Sequence, residues 1–162
     1  MSIIRGAGAA FDAHFMQIAL SLAEKAFSEG AVPVGALIVQ DGDVVFQSHN
    51  SFTSPPNDLP DSIRHAEIGA IIGACKELGK NRLDGCEIYV TVEPCAMCLG
   101  AIELVRISKI VFGAYNSSFV SAQLRNPHVI PTPPFPGEIV GGVMETDCVQ
   151  IIHRFFQAKR SG

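Results

Sequence analysis

Residues 87–102 read Glu-Ile-Tyr-Val-Thr-Val-Glu-Pro-Cys-Ala-Met-Cys-Leu-Gly-Ala-Ile, a β-rich run that passes through Glu93-Pro94 into a helix with two cysteines three apart. Glu87 to Val92 carries β-branched and aromatic residues and predicts a short strand. Pro94 opens the helix, because proline is well tolerated in a first turn. Cys95 and Cys98 then lie on the same side of one helical turn. At a helix N-terminus both thiols feel the positive end of the macrodipole, which favours the thiolate.

About thirty residues upstream, Arg64 to Leu78 shows a helical pattern through Ile68, Ile71, Ile72 and Cys75, closing at Gly79, and it opens on His65-Ala66-Glu67. One imidazole and two thiolates, His65, Cys95 and Cys98, are borderline-soft donors suited to Zn²⁺. Three protein ligands leave a fourth position open, the arrangement of a catalytic zinc. Zinc pulls the pKa of a coordinated water from 15.7 to roughly 7, so Glu67 reads as a proton carrier and not as a ligand. The i, i+2 spacing of His65 and Glu67 does not suit one face of a regular helix; it is accommodated if both stand in the first turn. Other readings stay open at this point. Cys-x-x-Cys also forms redox pairs, His-x-Glu is often a solvated helix start, and a closed structural zinc would take Cys86, His49 or Cys148 as its fourth ligand. Cys75 and Cys148 fall on apolar helical stripes and read as core.

The remaining elements follow the same logic. In residues 12–29, Phe15, Ile18, Ala19, Leu22 and Ala26 form one apolar stripe that predicts a helix ended by Gly30. Gly35–Gln40 and Val44–Ser48 are β-rich runs joined by Asp41-Gly42-Asp43, a strong hairpin signal. Residues 50–63 form a loop around Pro55, Pro56 and Pro60. Lys109–Gly113 is a further strand, and prolines make 114–138 irregular. Ile139–Met144 reads as a last short strand, before a helix with Cys148, Ile151, Ile152 and Phe155 on one face. The order α-β-β-α-β-α-β-(irregular)-α predicts a three-layer α/β architecture with a mixed sheet.

At 162 residues the chain is expected to form one domain over 1–162, large enough to bury a core without staples. Its 48% hydrophobic and 17% charged content excludes wholesale disorder. A formal charge of −4 argues against a protein that coats nucleic acid through bulk positive charge, while leaving room for a local basic patch. Asp12 and His14 interrupt any N-terminal apolar run, so no signal peptide is expected, and no stretch reaches membrane-span length. The five cysteines cannot all pair within one chain; reduced thiols or metal ligation, and a cytoplasmic setting, are expected.

The two segments together match the H-x-E…P-C-x-x-C signature of zinc-dependent nucleobase deaminases. Val32-Pro33-Val34-Gly35-Ala36, Arg64-His65-Ala66-Glu67, Tyr89 to Cys95, Arg106-Ile107, Val111-Phe112-Gly113-Ala114, and Gly141-Gly142 followed by a helix with Phe155-Phe156 and basic residues resemble the tRNA-specific adenosine deaminases. The resemblance covers nearly the whole chain. It implies a cytidine deaminase-like fold, a mixed five-stranded sheet flanked by helices. His65, Cys95 and Cys98 would hold Zn²⁺, and Glu67 would move protons while water replaces the amine on the ring carbon. Asn50 would contact the target base and Val32-Pro33 would wall its pocket. Taken alone, Asn50 reads as a turn residue and Val32-Pro33 as a helix-to-strand connector. The family further implies a wobble adenosine in a tRNA anticodon arm as target, and a homodimer with loops from both subunits near the site.

The chain departs from the family at two places: Ala31 stands where many members carry an acidic residue, and Asn116 where Asp is common. Asn116, Arg154, Phe155, Phe156, Lys159 and Arg160 are candidate RNA contacts, since phosphates need cations and unstacked bases favour aromatic faces. The same terminal pattern also describes an ordinary amphipathic helix whose basic end complements its dipole. Guanine deaminases share the Cys-x-Met-Cys-Leu-Gly-Ala-Ile text, so a deaminase of free guanine or cytosine is the alternative. A non-catalytic RNA-binding subunit would lack the glutamate, and Glu67 is present.

Overall fold

The computed structural model describes residues 4, 5, 11–51, 63–116 and 135–162. Most of the predicted 50–63 loop and the proline-rich part of 114–138 lie outside the described residues. In chain order the elements are β1 (Ile4–Arg5), α1 (Ala13–Ser28), β2 (Gly35–Gln40), β3 (Asp43–His49), α2 (Ala66–Leu78), β4 (Cys86–Val92), α3 (Ala96–Leu104), β5 (Lys109–Ala114), β6 (Glu138–Gly141) and α4 (Glu145–Ser161). The strands form one mixed sheet in the order β1-β6-β5-β4-β2-β3. β4, β5, β6 and β1 run parallel, while β2 is antiparallel to both β4 and β3. This is the expected mixed sheet of five principal strands, extended at its edge by the two-residue β1, which carries no periodic signal of its own.

Local chemistry explains the boundaries. Asp41 (φ 52°) and Gly42 (φ 84°) both adopt left-handed backbone, the combination a two-residue hairpin turn needs, so β2 and β3 pair directly. Asp12 caps α1 by accepting the His14 N–H at 2.8 Å. α1 ends in a paired hydrogen-bond motif: Gly30 (φ 78°) donates to the Phe27 carbonyl, and Ala31 donates to that of Ala26 at 3.0 Å. Pro94 stands one residue before the cap of α3 and not in its first turn, because the extended Cys95 (φ −70°, ψ 173°) is the cap. β6 stops at Gly141 and not at Met144, where a left-handed Met144 (φ 52°) starts α4.

The sheet is covered on both faces. α2 and α3 pack over Ala36, Ile38, Ile88, Val90, Ile110 and Phe112. On the other face, α1 and α4 cover Leu37, Val39, Tyr89, Val111 and Val140 with Phe15, Met16, Ala19 and Cys148. Alternation along each strand assigns side chains to the two layers. Because β4 and β5 run parallel and β2 runs back, the exits of β3, β4 and β5 and the entry to β2 gather at one sheet end.

Close approach of α1 to β2 depends on Gly35, where a Cβ would run into the Ala19 carbonyl, the Leu22 side chain and the Ala23 nitrogen. Gly35→Ala is therefore expected to destabilise the fold by about 1–3 kcal/mol, the usual cost of overpacking. Urea unfolding should show a lowered midpoint with an unchanged slope.

Candidate active site

The site forms where two helix N-termini meet at that sheet end. His65 is the cap residue of α2 in extended backbone (φ −76°, ψ 147°) and makes no side-chain cap bond, so its ring is turned elsewhere. Cys95 is the cap residue of α3, and Cys98 lies in that helix's first turn. His65 Nδ1 is 3.4 Å from Cys98 Sγ and 3.6 Å from Cys95 Sγ. All three donor atoms lie within 4.8 Å of one another. A tetrahedral ion with Zn–N of about 2.1 Å and Zn–S of about 2.3 Å sets N···S edges of about 3.6 Å. Donor chemistry and spacing therefore both fit zinc.

No other group of three or more His, Cys, Asp or Glu with this spacing occurs among the described residues. The alternative fourth ligands stay apart. Cys86 begins β4 at the far end of the strand, Cys148 is buried on the opposite sheet face, and His49 pairs with Glu29 at 3.0 Å. Cys75 packs at the margin of the core.

Glu67 is the second residue of α2, which resolves the awkward spacing: His65 caps the helix and Glu67 lies inside its first turn. Its side chain is only 4% exposed. Burial raises the Glu67 carboxyl from its usual 4.5 to about 7, against the opposing pull of its own backbone N–H and of His65. The Cys95 thiol is held down at about 4, chiefly by a hydrogen bond from Cys98, with His65 adding to the effect. Cys98 is pushed up by the same bond and by burial, so the pair holds one thiolate readily.

Asn50 follows β3, and its Oδ1 accepts the Ala66 N–H at 2.8 Å, serving an orphan donor at the start of α2. This fixes the amide, with Nδ2 left as the donating end. The Asn50 N–H donates to the Val34 carbonyl at 3.0 Å. Pro33 is buried and Val32 is 38% exposed, on the connector between α1 and β2. Ala31 is 1% exposed within the hydrogen-bonded end of α1, where a carboxylate would have to be buried.

Sequence reading missed Glu93. Its N–H donates to the Ala114 carbonyl at 2.8 Å, and its carboxylate accepts the Asn116 N–H at 3.0 Å. It thereby latches the loop before Cys95 to the exit of β5. Only its place beside Pro94-Cys95 hinted at this.

The terminal helix is a partial correction. Phe155 is 6% exposed and meets Phe27 edge-on at 5.8 Å, so its ring is committed to the core. Its position on the apolar stripe with Cys148 and Ile151 is the reason. Arg154 pairs with Glu24 at 2.6 Å and lies 5.3 Å over Phe27. Lys159 stands 5.5 Å over the Phe155 ring. Phe156 is 46% exposed, and every residue after it is exposed. A cavity of about 440 Å³ lined by Glu103, Arg106, Phe135 and neighbours lies at the entry end of β5, away from the metal donors.

The Glu67 environment has a pH signature. In metal-free protein the folded state holds its proton up to about 7 and the unfolded state only to about 4.5, so stability is lost as pH rises between these values. The full loss is up to about 3 kcal/mol. The depressed Cys95 thiol works in the opposite direction but is common to both proteins, so from pH 4 to 8 the urea midpoint of wild type should fall relative to that of Glu67→Gln; parallel curves would contradict the burial argument.

Residues 9–114 match the family model for the cytidine and deoxycytidylate deaminase zinc-binding region. The tRNA-specific adenosine deaminase of Bacillus subtilis is 39% identical over 150 residues, covering 92% of this chain and 91% of that one. A structure from biochemical and structural studies of A-to-I editing by tRNA:A34 deaminases at the wobble position matches with a TM-score of 0.74 at 37% identity. That match covers 86% of this chain and 99% of the other. A Bacillus subtilis guanine deaminase matches with a TM-score of 0.62 at 31% identity, over 80% and 84% of the two chains. With this sequence similarity spanning a zinc-type donor set and a buried glutamate, the chain belongs to the tRNA-specific adenosine deaminase family of zinc-binding deaminases.

Proposed function

We propose that this chain hydrolytically deaminates adenosine to inosine at the wobble position of a tRNA anticodon, with Glu67 as the proton carrier. The observation that carries this reading is a buried carboxyl beside an imidazole and two thiols within ligand distance of one another, in a chain similar to tRNA-specific adenosine deaminases over nearly its whole length. His65, Cys95 and Cys98 would hold the zinc, which would supply the Lewis acidity that makes water a competent nucleophile at neutral pH. Every proton movement then falls to Glu67. It takes a proton from the attacking water and gives it to the adenine ring nitrogen, then takes the remaining proton from the new C6 hydroxyl and gives it to the departing amine. The C6–O bond forms, the C6–N bond breaks, and ammonia leaves. Burial works to raise this carboxyl above the ordinary carboxylate range, which strengthens it as the base this alternation needs, while the charge of a bound zinc would work to lower it.

Asn50 positions the base. Its Oδ1 is committed to Ala66, so Nδ2 meets an acceptor on the purine. Val32 and Pro33 form the apolar wall against which the base packs. At the terminal helix, the exposed Phe156 and Arg160 suit a stacked base and a phosphate, with Lys159 over the Phe155 ring, Arg154 and Asn116 as flanking contacts. The reaction belongs in the cytoplasm, where the thiols stay reduced.

A second copy of the chain completes the assembly. α3 reads Ala-Met-Cys-Leu-Gly-Ala-Ile-Glu-Leu, apolar almost all round, yet Met97 is 38% and Leu104 82% exposed. A helix of that character is normally covered, and an isologous partner would cover it.

A second reading, deamination of free guanine or cytosine, is supported by the guanine deaminase neighbour and the shared Cys-x-Met-Cys-Leu-Gly-Ala-Ile text. Mass-spectrometric product analysis separates the two. Zinc-loaded protein, sedimenting as a dimer, should convert an unmodified A34 tRNA to its inosine form and leave free adenosine, guanine and cytosine unchanged. Glu67→Ala should keep zinc and fold yet lose turnover by at least about 10³-fold. Xanthine or uracil from free bases with the tRNA untouched would overturn the tRNA assignment, and a fully active Glu67→Ala would overturn the role of Glu67.

A further inference from the structure

The connector between α1 and β2, residues 29–34, is attached at both ends to the same dipeptide, His49-Asn50. At its start, Glu29 Oε2 lies 3.0 Å from His49 Nε2. At its end, the Val34 carbonyl accepts the Asn50 N–H at 3.0 Å. A tight turn at Pro33, closed by Val34 N–H to the Val32 carbonyl at 2.9 Å, stiffens the stretch between the two ties. Asn50 is itself pinned to α2 through Ala66. The wall residues Val32 and Pro33 and the amide of Asn50 are thus parts of one closed ring, in which the Glu29–His49 contact is the side-chain link.

We propose that Glu29 and His49 are positioning residues that set the distance between the Val32-Pro33 wall and the Asn50 amide, and so set which base the pocket accepts. The inference rests on the reading of that wall and amide as the base pocket. The His49 side chain is 9% exposed and that of Glu29 33%, so the contact is sheltered enough to define geometry and too exposed to anchor the fold. Without it, the start of the connector keeps the hydrogen bonds that end α1 and the burial of Ala31 but loses its tie to His49, and the wall shifts relative to Asn50. Loosening a wall removes binding that ground state and transition state share, which raises KM more than it lowers kcat.

The test compares wild type, Glu29→Ala, His49→Gln, the double variant and the conservative Glu29→Gln, which keeps an acceptor for the imidazole N–H. Two readouts are taken: steady-state kinetics on an A34 anticodon stem-loop, and hydrogen–deuterium exchange at the Asn50 amide in the zinc-loaded protein. Glu29→Ala and His49→Gln should each raise KM about tenfold with kcat within about twofold. The double variant should be no worse than either single, and Glu29→Gln should recover most of the loss. Asn50 exchange should rise in step with KM while zinc content stays unchanged. Unchanged exchange at Asn50 in both single variants would overturn the clamp, as would additive losses. If wild type proves inert on RNA, the deamination reading fails, and the exchange measurement still decides for or against the clamp.

Discussion

The structure depends on bringing the N-termini of α2 and α3 face to face at the exit of β4. A histidine, two cysteines and a glutamate are gathered there, and sheltering such groups from water is unfavourable unless each finds a partner or a metal. The arrangement solves this with backbone geometry. His65 and Cys95 both occupy cap positions in extended backbone, which frees their side chains to converge. The helix dipoles favour the negative charge that two thiolates and a carboxylate bring. The same enclosure that would destabilise Glu67 as an anion brings it to about 7, where it can exchange protons.

Around this junction the sheet acts as a positioning frame. β3, β4 and β5 deliver Asn50, Cys95 and Asn116 to the same end, and Glu93 fastens two of these exits together. Asn50 has two ties, since its side-chain oxygen completes the first turn of α2 and its backbone N–H holds the Val34 carbonyl. Placing catalytic groups at the exits of parallel strands lets the apolar layers beneath fix them without sharing their polarity.

Much of this was legible in the residues. The periodicities of 12–29 and 64–78, the Asp41-Gly42 turn and the β-rich run before Pro94 gave the principal elements within a few residues, because each rests on local chemistry. The donor set was legible because His-x-Glu and Cys-x-x-Cys are rare together. What the sequence reading lacked was long-range or contextual. Glu93 gains its meaning from a contact with the Asn116 backbone 23 residues away, and Glu29 from one with His49 20 residues away. Phe155 carried two readings, a member of the Cys148–Ile151 stripe and an RNA contact beside cations, and its packing against Phe27 decides for the stripe. Two residues, as in β1, carry too little pattern to announce a strand.

The central claim is an open site of three protein donors. X-ray absorption at the zinc edge of the loaded protein tests it most directly. Two sulfurs at about 2.3 Å, one imidazole nitrogen at about 2.1 Å and one further light atom exchangeable with solvent are predicted. Three or more sulfurs, or a second imidazole in place of the exchangeable atom, would mean a closed structural zinc and would contradict the account.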